Sequence, residues 1–119
     1  MRLGVDIVSV GRVGALYARF ADKFARRILS ETELAVFAGL GCRERRVEFL
    51  SGRFCAKEAI YKAMNRDAAG AAVTWRRLSV GAGPGPVALD GRPLASMTVS
   101  LSHERDFVVA VALHVDDLA

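Results

Sequence analysis

Helical patterns fill the first half of the chain and strand patterns fill the second, apart from one strand at the very start. Valine and isoleucine are frequent in Leu3–Val10, which predicts that first strand. Apolar residues then recur at helical spacing across Arg12–Phe24, and a longer helix is predicted over Arg43–Asn65. This order favours an α+β fold in which a mainly antiparallel sheet packs against the long helix.

Capping and turn signals set the shorter elements. Ser30 and Glu33 form a capping box, so a short helix is expected to begin there and to run to about Ala38. The dipeptide Asp90–Gly91 predicts a turn. Strands are predicted at Thr74–Val80, Val87–Leu89, Met97–Ser102 and Phe107–Val115, and the last two are expected to form a hairpin through His103–Asp106.

Length and composition bound the class of protein. A chain of 119 residues is expected to form one domain, residues 1–119. It contains two cysteines, which are too few for a disulfide framework. Asp6 interrupts the apolar start that a secretory signal needs, and no apolar stretch is long enough to span a membrane. A cytoplasmic protein without a membrane partner is therefore predicted.

Positive charge is concentrated near the start of the chain. The formal net charge is +4, and the segment Arg12–Arg27 holds five basic residues against one acidic residue. Such a segment forms either a solvated helix face or a surface for an acidic partner. Nucleic acid, a membrane surface and an acidic protein are all compatible with the charge alone.

Two carboxylates, Asp6 and Glu58, can each be interpreted as structural or as functional. Asp6 lies inside an apolar strand, where it needs an edge position, a cation partner or a functional role. Glu58 precedes Lys62 by four residues, so the two share a helix face and can form an ion pair. With Arg53 and Lys57 nearby, Glu58 also suits a Mg²⁺–phosphate site, in which oxygens hold the metal and cations hold phosphate.

A histidine at the end of a predicted strand is a further candidate. His103 follows Ser100–Ser102, and it can either hydrogen-bond a phosphate or cap the turn. The chain has no Walker loop, no GxGxxG motif and no nucleophile elbow. None of the site types that those motifs mark is therefore predicted.

Four segments of the chain carry a family pattern. They are Gly4–Val8 near the start, Phe24–Ser30 with Glu33, Arg53–Ala63 in the middle and Val99–His103 near the end. In this order they resemble the holo-acyl-carrier-protein synthase family of phosphopantetheinyl transferases. The resemblance covers nearly the whole chain, and the middle segment is its most specific part.

The resemblance implies a reaction and its participants. Coenzyme A donates its phosphopantetheine arm, a serine of an acidic acyl carrier protein accepts it, and adenosine 3′,5′-bisphosphate leaves. Mg²⁺ on the pyrophosphate is implied, and so is a homotrimer with active sites between subunits. Nucleic acid has no part in this reaction. The resemblance does not identify the carrier, which could serve fatty-acid or polyketide synthesis.

The same resemblance assigns roles to residues. Asp6 and Glu58 match the metal ligands, and Glu58 and Lys62 are the predicted catalytic residues. Glu58, directly or through a water, is the candidate base for the serine, while Lys62 supplies a fixed cation. The predicted coenzyme A contacts are Arg53, Phe54, Lys62, Arg66 and His103. The predicted docking face for the carrier consists of Arg12, Arg19, Lys23 and Arg27.

The chain departs from the family pattern in three places. Asn65–Asp67 stands where the family has a glycine-rich turn, so Arg66 is expected either to make a charged phosphate contact or to shift the nucleotide. Tyr61 is large where a small residue is common, and Asp90–Met97 is short where the family carries a helix. Two alternatives stay open: a relative that binds coenzyme A or a carrier without catalysis, and a small basic module for nucleic acid.

Overall fold

A long helix lies across one face of an antiparallel sheet, and this pairing positions the candidate residues. The computed structural model describes residues 1–64, 74–81 and 85–115. In chain order, these parts form β1 (Arg2–Ser9), α1 (Val10–Phe20), α2 (Asp22–Ile28), α3 (Glu31–Ala38), α4 (Arg43–Ala63), a 3₁₀ turn (Trp75–Arg77), β2 (Leu78–Val80), β3 (Gly85–Leu89), β4 (Arg92–His103) and β5 (Phe107–His114). In the described parts, the strands are ordered β1–β5–β4–β3–β2 and every neighbouring pair is antiparallel. The predicted α+β fold is confirmed.

Small side chains allow α4 to lie close to the sheet. In β1, Gly4 and Val8 are buried toward α4, while their neighbours on the other face are exposed. A Cβ atom added at Gly4 would lie 2.0 Å from the carbonyl oxygen of Ala59, so only glycine fits at this crossing. Small residues are fully buried on both sides of the contact, namely Cys55, Ala56, Ala59 and Ala63 in α4 and Ala110 and Ala112 in β5.

The boundary between β1 and α1 lies one residue earlier than predicted. β1 ends at Ser9 rather than Val10, because the Ser9 hydroxyl accepts a hydrogen bond of 3.2 Å from the Arg12 backbone N–H and caps α1. Gly11, although a glycine, does not mark the boundary, since it lies inside the first turn of the helix. A serine cap therefore decides this boundary, and the glycine does not.

α4 is the longest helix and ends slightly before its predicted limit. It spans 21 residues and stops at Ala63 rather than Asn65, because the backbone of Met64 is extended. The Met64 N–H still bonds to the Ile60 carbonyl at 2.8 Å. None of the helices in the described parts of the chain is both long and apolar enough to cross a membrane.

The single helix predicted over Arg12–Phe24 is wrong, because two helices meet at Ala21. Ala21 has a φ of +48°, a backbone conformation that interrupts an α-helix. Its N–H still closes α1 by bonding to the Tyr17 carbonyl at 2.7 Å. The change of direction allows α2 to bury Ala25 and Ile28. The apolar spacing continues across this break and therefore does not reveal it.

The strand predicted over Thr74–Val80 is only partly correct. Trp75–Arg77 forms the 3₁₀ turn, and β2 covers only the last three residues of the predicted strand. The Trp75 carbonyl accepts a hydrogen bond from a buried lysine, which holds this stretch away from the sheet. By contrast, β4 is longer than predicted, since it begins at Arg92 directly after the confirmed turn at Asp90–Gly91.

The predicted capping box and the predicted last hairpin are both confirmed. The Ser30 N–H donates to Glu33 Oε1 at 2.9 Å, and the Glu33 N–H donates to Ser30 Oγ at 3.3 Å. At the other end of the chain, β4 stops at His103 and β5 begins at Phe107. The Glu104 N–H bonds to the Phe107 carbonyl at 2.9 Å and closes the turn.

Candidate functional site

Asp6 and Lys62 make the central contact of the candidate site. Asp6 lies on the edge strand β1, and its side chain is 18% exposed. The Lys62 Nζ atom lies 2.9 Å from Asp6 Oδ1 and also donates to the Val5 carbonyl at 3.1 Å. Asp6 thus has both the edge position and the cation partner that a structural interpretation requires. Within the described residues, Lys62 pairs with this strand carboxylate rather than with Glu58 on its own helix.

Glu58 lies one helical turn before Lys62. Its Oε2 atom accepts a hydrogen bond of 3.3 Å from Trp75 Nε1. Asp6 and Glu58 share a buried neighbour, the thiol of Cys55, which donates to the Asp6 carbonyl at 3.3 Å. Burial raises the pKa of Cys55 to about 12, and the negative charges of Asp6 and Glu58 add to this rise.

Two carboxylates are the oxygen donors that this neighbourhood offers to a metal ion. Among the described residues, no group of three or more His, Cys, Asp or Glu side chains could hold a metal by itself. Proteins bind Mg²⁺ through one or two carboxylates, and water and substrate phosphates complete its octahedral shell. Asp6 and Glu58 therefore fit Mg²⁺ that binds together with a phosphate ligand, and they do not fit a closed structural metal site.

Lys57 faces the core, although it precedes Glu58 in the sequence. Its side chain is fully buried, and Nζ donates to Glu33 Oε1, to the Ile28 carbonyl at 2.8 Å and to the Trp75 carbonyl at 3.0 Å. Burial lowers the pKa of Lys57, while the negative charge of Glu33 opposes that shift. The expectation that Lys57 supplies a phosphate-binding cation is wrong, because its ammonium group is sealed from solvent.

Arg53 and His103 line one groove, which lies nearer the start of α4 than Lys62 does. The groove has a volume of about 400 Å³ and is also lined by Arg45 and Phe49. The Arg53 guanidinium stacks over the Phe49 ring at 4.3 Å, and its buried Nε atom has no hydrogen-bond partner among the described residues. Burial lowers the pKa of Arg53, and the Glu33 charge opposes that shift. Two arginines and a histidine outnumber the one carboxylate that lines the groove, Glu48, and this excess of donors suits an anionic group such as phosphate.

The groove and the carboxylate pair are separate regions on the same side of the sheet. Asp6 of β1 and Leu101 of β4 both pair with Ala110 of β5, so they lie two strands apart on the same face. His103 lies two residues beyond Leu101 on β4. Two strand spacings and two residue steps correspond to roughly 12 Å between Asp6 and His103. One extended, multiply charged ligand could contact both regions, whereas a single small ion could not.

The structure does not bring Phe54 to that groove. The Phe54 ring lies elsewhere on α4 and meets Trp75 edge-on, with ring centroids 5.4 Å apart. Arg66 and the other residues of Asn65–Asp67 lie outside the described residues. Their predicted contacts with coenzyme A stay predictions.

The predicted docking residues form an exposed basic surface that spans two helices. Arg12 and Arg19 lie on α1, and Lys23 and Arg27 lie on α2. All four side chains are exposed. The Arg19 guanidinium lies over the exposed Phe20 ring, 5.1 Å from its centroid, so an apolar side chain accompanies the charges. Such a surface suits an acidic protein that also offers apolar contacts.

The face of the sheet opposite α4 is apolar and exposed, and we call it the open sheet face. Its members alternate with the buried residues of β1 and β5 and are Leu3 (65% exposed), Val5 (58%), Ile7 (63%), Phe107 (51%), Val109 (36%) and Val111 (43%). No described part of the chain covers these side chains. A contiguous apolar surface of this kind typically marks a contact with another protein surface.

Two residues near the site carry roles that the sequence does not indicate. The sequence predicts a strand at Trp75, the single tryptophan of the chain, but its side chain contacts Glu58 instead. Glu33 is predicted as a helix cap and belongs to the family pattern, but neither observation indicates that its Oε2 accepts from the Val80 N–H at 2.7 Å or that its Oε1 pairs with Lys57. Both roles depend on contacts between distant segments, for which local spacing carries no signal.

Comparisons with known proteins agree on one family. A family model described as the 4′-phosphopantetheinyl transferase superfamily matches residues 2–112. A holo-[acyl-carrier-protein] synthase of Chlorobaculum tepidum is 34% identical over 125 aligned positions, which cover 95% of this chain and 97% of that protein. Two solved structures of holo-[acyl-carrier-protein] synthases are also similar. One is from Bacillus anthracis in complex with CoA (3′,5′-ADP), with a TM-score of 0.71, 30% identity and coverage of 95% of this chain and 94% of the other. The other, from Neisseria meningitidis, has a TM-score of 0.77, 31% identity and coverage of 97% and 98%.

Proposed function

This chain belongs to the 4′-phosphopantetheinyl transferase superfamily and is an enzyme of the holo-[acyl-carrier-protein] synthase type, and from that premise we propose how it works. It moves 4′-phosphopantetheine from coenzyme A to a serine of an apo acyl carrier protein, with Mg²⁺ held by Asp6 and Glu58. The observation that carries this proposal is the contact of Lys62 with Asp6 beside Glu58. It gathers two carboxylates and a cation at one edge of the sheet.

The carboxylate pair supports the metal part of the proposal. Asp6 and Glu58 offer oxygen ligands, and the pyrophosphate of coenzyme A offers more. When bound, Mg²⁺ supplies Lewis-acid chemistry that spreads the charge developing on the transferred phosphoryl group. The Asp6 side chain is 18% exposed, so a hydrated cation can reach it from solvent.

Lys62 changes partner in the proposed reaction. Without a metal, its ammonium group neutralises Asp6 at 2.9 Å. If Asp6 were to hold a cation, Lys62, which is 49% exposed, would be free to turn its ammonium group toward a phosphate oxygen of coenzyme A. There its charge stabilises the transition state. Glu58 accepts the proton of the carrier serine, directly or through a water, as the serine oxygen bonds to phosphorus and adenosine 3′,5′-bisphosphate leaves.

The groove lined by Arg53 and His103 supports binding of the nucleotide end of coenzyme A. The unpartnered Arg53 Nε can donate to a phosphate oxygen, and Arg45 adds a second guanidinium. The related Bacillus anthracis structure holds CoA (3′,5′-ADP). We propose that this groove binds the adenosine bisphosphate portion, and that Asp6 and Glu58 would hold Mg²⁺ where it could neutralise the pyrophosphate charge.

Two surfaces support the proposed protein partners. The basic surface of α1 and α2 complements an acidic carrier protein, which speeds encounter as well as fixing orientation. The open sheet face supports a homotrimer, since its apolar side chains are suited to burial against other copies of the chain. The relatives are named for action on an acyl carrier protein, which fits this choice of partner.

A mass measurement tests the proposed reaction. The protein is incubated with Mg²⁺, coenzyme A and apo carrier proteins of fatty-acid and polyketide type, and each carrier is then weighed. We expect at least one carrier to gain the mass of one phosphopantetheine group, and a chelator to prevent that gain. No gain with any carrier contradicts the proposal. Tight binding of coenzyme A without transfer favours the non-catalytic relative instead.

Carboxylate variants test the metal assignment. Asp6→Ala and Glu58→Ala should each lower turnover about a hundredfold or more, because each removes a metal ligand. Both side chains are partly exposed, so circular dichroism should show an intact fold. Glu31→Ala is the matched control, since this exposed carboxylate lies on α3. Mg²⁺-dependent turnover that survives in both site variants refutes the assignment.

A further inference from the structure

Trp75 contacts three side chains of α4 around the candidate metal ligand. Its indole Nε1 donates to Glu58 Oε2 at 3.3 Å, and its carbonyl accepts from Lys57 Nζ at 3.0 Å. Its ring meets the Phe54 ring edge-on, with centroids 5.4 Å apart and planes 68° apart. Trp75 therefore contacts Glu58, Lys57 and Phe54, which lie within one turn of α4.

The main chain of Trp75 is anchored in the core. Lys57 is fully buried, and its remaining bonds go to Glu33 and to the Ile28 carbonyl. A backbone hydrogen bond of 3.1 Å also closes the 3₁₀ turn itself. The indole therefore extends from a fixed backbone, and its position does not depend on the rotamer of a loosely held surface residue.

A fixed donor restricts the orientation of the Glu58 carboxylate. A glutamate that is free on a helix surface loses substantial rotamer entropy when it is ordered. The indole N–H binds Oε2, which leaves Oε1 to face another ligand. Groups that hydrogen-bond a metal ligand from outside orient it and raise metal affinity. We propose that Trp75 is a positioning residue that holds Glu58 for the divalent cation, an inference that rests on the proposed role of Glu58.

Trp75→Phe separates this role from simple packing. Phenylalanine keeps an aromatic ring against Phe54 but has no N–H for Glu58. Mn²⁺ binding in the presence of coenzyme A is measured by electron paramagnetic resonance. We expect the Mn²⁺ dissociation constant to rise about tenfold, as for other outer partners of metal ligands. Turnover at saturating Mg²⁺ should change far less. An unchanged dissociation constant in a folded variant overturns the inference.

A double-variant cycle supplies the control. In a Glu58→Gln background the carboxylate is gone, so adding Trp75→Phe should cause no further loss of Mn²⁺ affinity. An equal loss in both backgrounds means that Trp75 acts through general packing, which contradicts the positioning role. Thermal unfolding of each variant verifies that the populations compared are folded.

Fluorescence of the unsubstituted protein provides a test that needs no Trp75 variant. Trp75 is the single tryptophan, so the intrinsic emission comes from the residue that touches Glu58. We expect Mn²⁺, a paramagnetic quencher, to quench this emission saturably with coenzyme A present, and Mg²⁺ to reverse the quenching. Glu58→Gln should abolish the effect. Quenching that persists unchanged in Glu58→Gln overturns the inference.

The outcomes distinguish failure of this inference from failure of the proposed function. If the protein transfers phosphopantetheine but Trp75→Phe does not change the Mn²⁺ dissociation constant, only the positioning role is refuted. Absence of transfer to every carrier, together with coupled Trp75–Glu58 effects on Mn²⁺ binding, refutes the reaction and leaves a cation site that Trp75 orients.

Discussion

Gly4 is the residue at which added volume should damage the site most. A Cβ atom there would lie 2.0 Å from the Ala59 carbonyl oxygen and 2.7 Å from the Ala63 nitrogen, and helix backbone cannot give way as a side chain can. Gly4→Ala must push β1 away from α4, and Asp6 lies two residues further along that strand. We expect the free energy of unfolding to fall by about 1–3 kcal/mol, as for other overpacked sites, and turnover to fall with it.

Urea unfolding and the transfer assay measure the two effects at Gly4. Gly41→Ala is the matched control, since a Cβ atom added at Gly41 meets nothing within 4 Å. The control should keep both stability and turnover. If Gly4→Ala unfolds at the same urea concentration as the unsubstituted protein, the close crossing of β1 and α4 is wrong.

Residue type and order could predict the charged groups of the site, but not the direction in which each side chain points. Lys57 and Lys62 stand in the same helical motif and look equivalent in the sequence. The structure buries Lys57 completely and leaves Lys62 49% exposed beside Asp6. The two lysines differ because α3 and the 3₁₀ turn pack over the side of α4 that carries Lys57, whereas Lys62 lies beside the edge strand β1. Helical spacing reports relative angles on a helix, not which angle meets the core.

At the scale of elements, the buried pair of Glu33 and Lys57 joins α3 to α4 and, through further hydrogen bonds, to α2, β2 and the 3₁₀ turn. Lys57→Met leaves Glu33 charged and buried without its partner. We expect this variant to lose about 3–5 kcal/mol of stability in urea unfolding. Adding Glu33→Gln to it removes the stranded charge and should recover part of that loss. Lys23→Met, at an exposed lysine of α2, should leave stability unchanged.

The element order could be predicted because each signal is local. The capping box of α3, the turn at Asp90–Gly91 and the last hairpin depend on residues a few positions apart. The break at Ala21 could not be predicted because the apolar spacing continues across it, and the 3₁₀ turn at Trp75 could not be predicted because its contact with α4 is distant in the sequence. The Trp75 carbonyl binds Lys57 of α4, so a buried ammonium group from a distant segment accompanies the 3₁₀ turn.

At the scale of the whole molecule, the sheet presents two different faces. One face packs against α4 and carries Asp6 and His103 on its strands. The other is the open sheet face, where Leu3 and Ile7 remain 65% and 63% exposed. Burying apolar surface stabilises by about 25 cal/mol for each Å² removed from water, so burial of these side chains against another surface would be favourable. The open sheet face therefore supports the proposal that copies of this chain associate.

Val111→Lys tests that assembly at the middle of the open sheet face. Val111 is 43% exposed and pairs with Val5 across β5 and β1, so a lysine there can stay solvated in a single chain. In an assembly the same lysine would be buried without a partner, which is costly. We expect light scattering to show a trimer for the unsubstituted protein and a single chain for Val111→Lys. Val36→Lys, at a valine of α3 that is 55% exposed, should remain trimeric. A single-chain mass for the unsubstituted protein at micromolar concentration contradicts the trimer. If Val111→Lys loses both the trimer and turnover, that result supports active sites that need a neighbouring subunit.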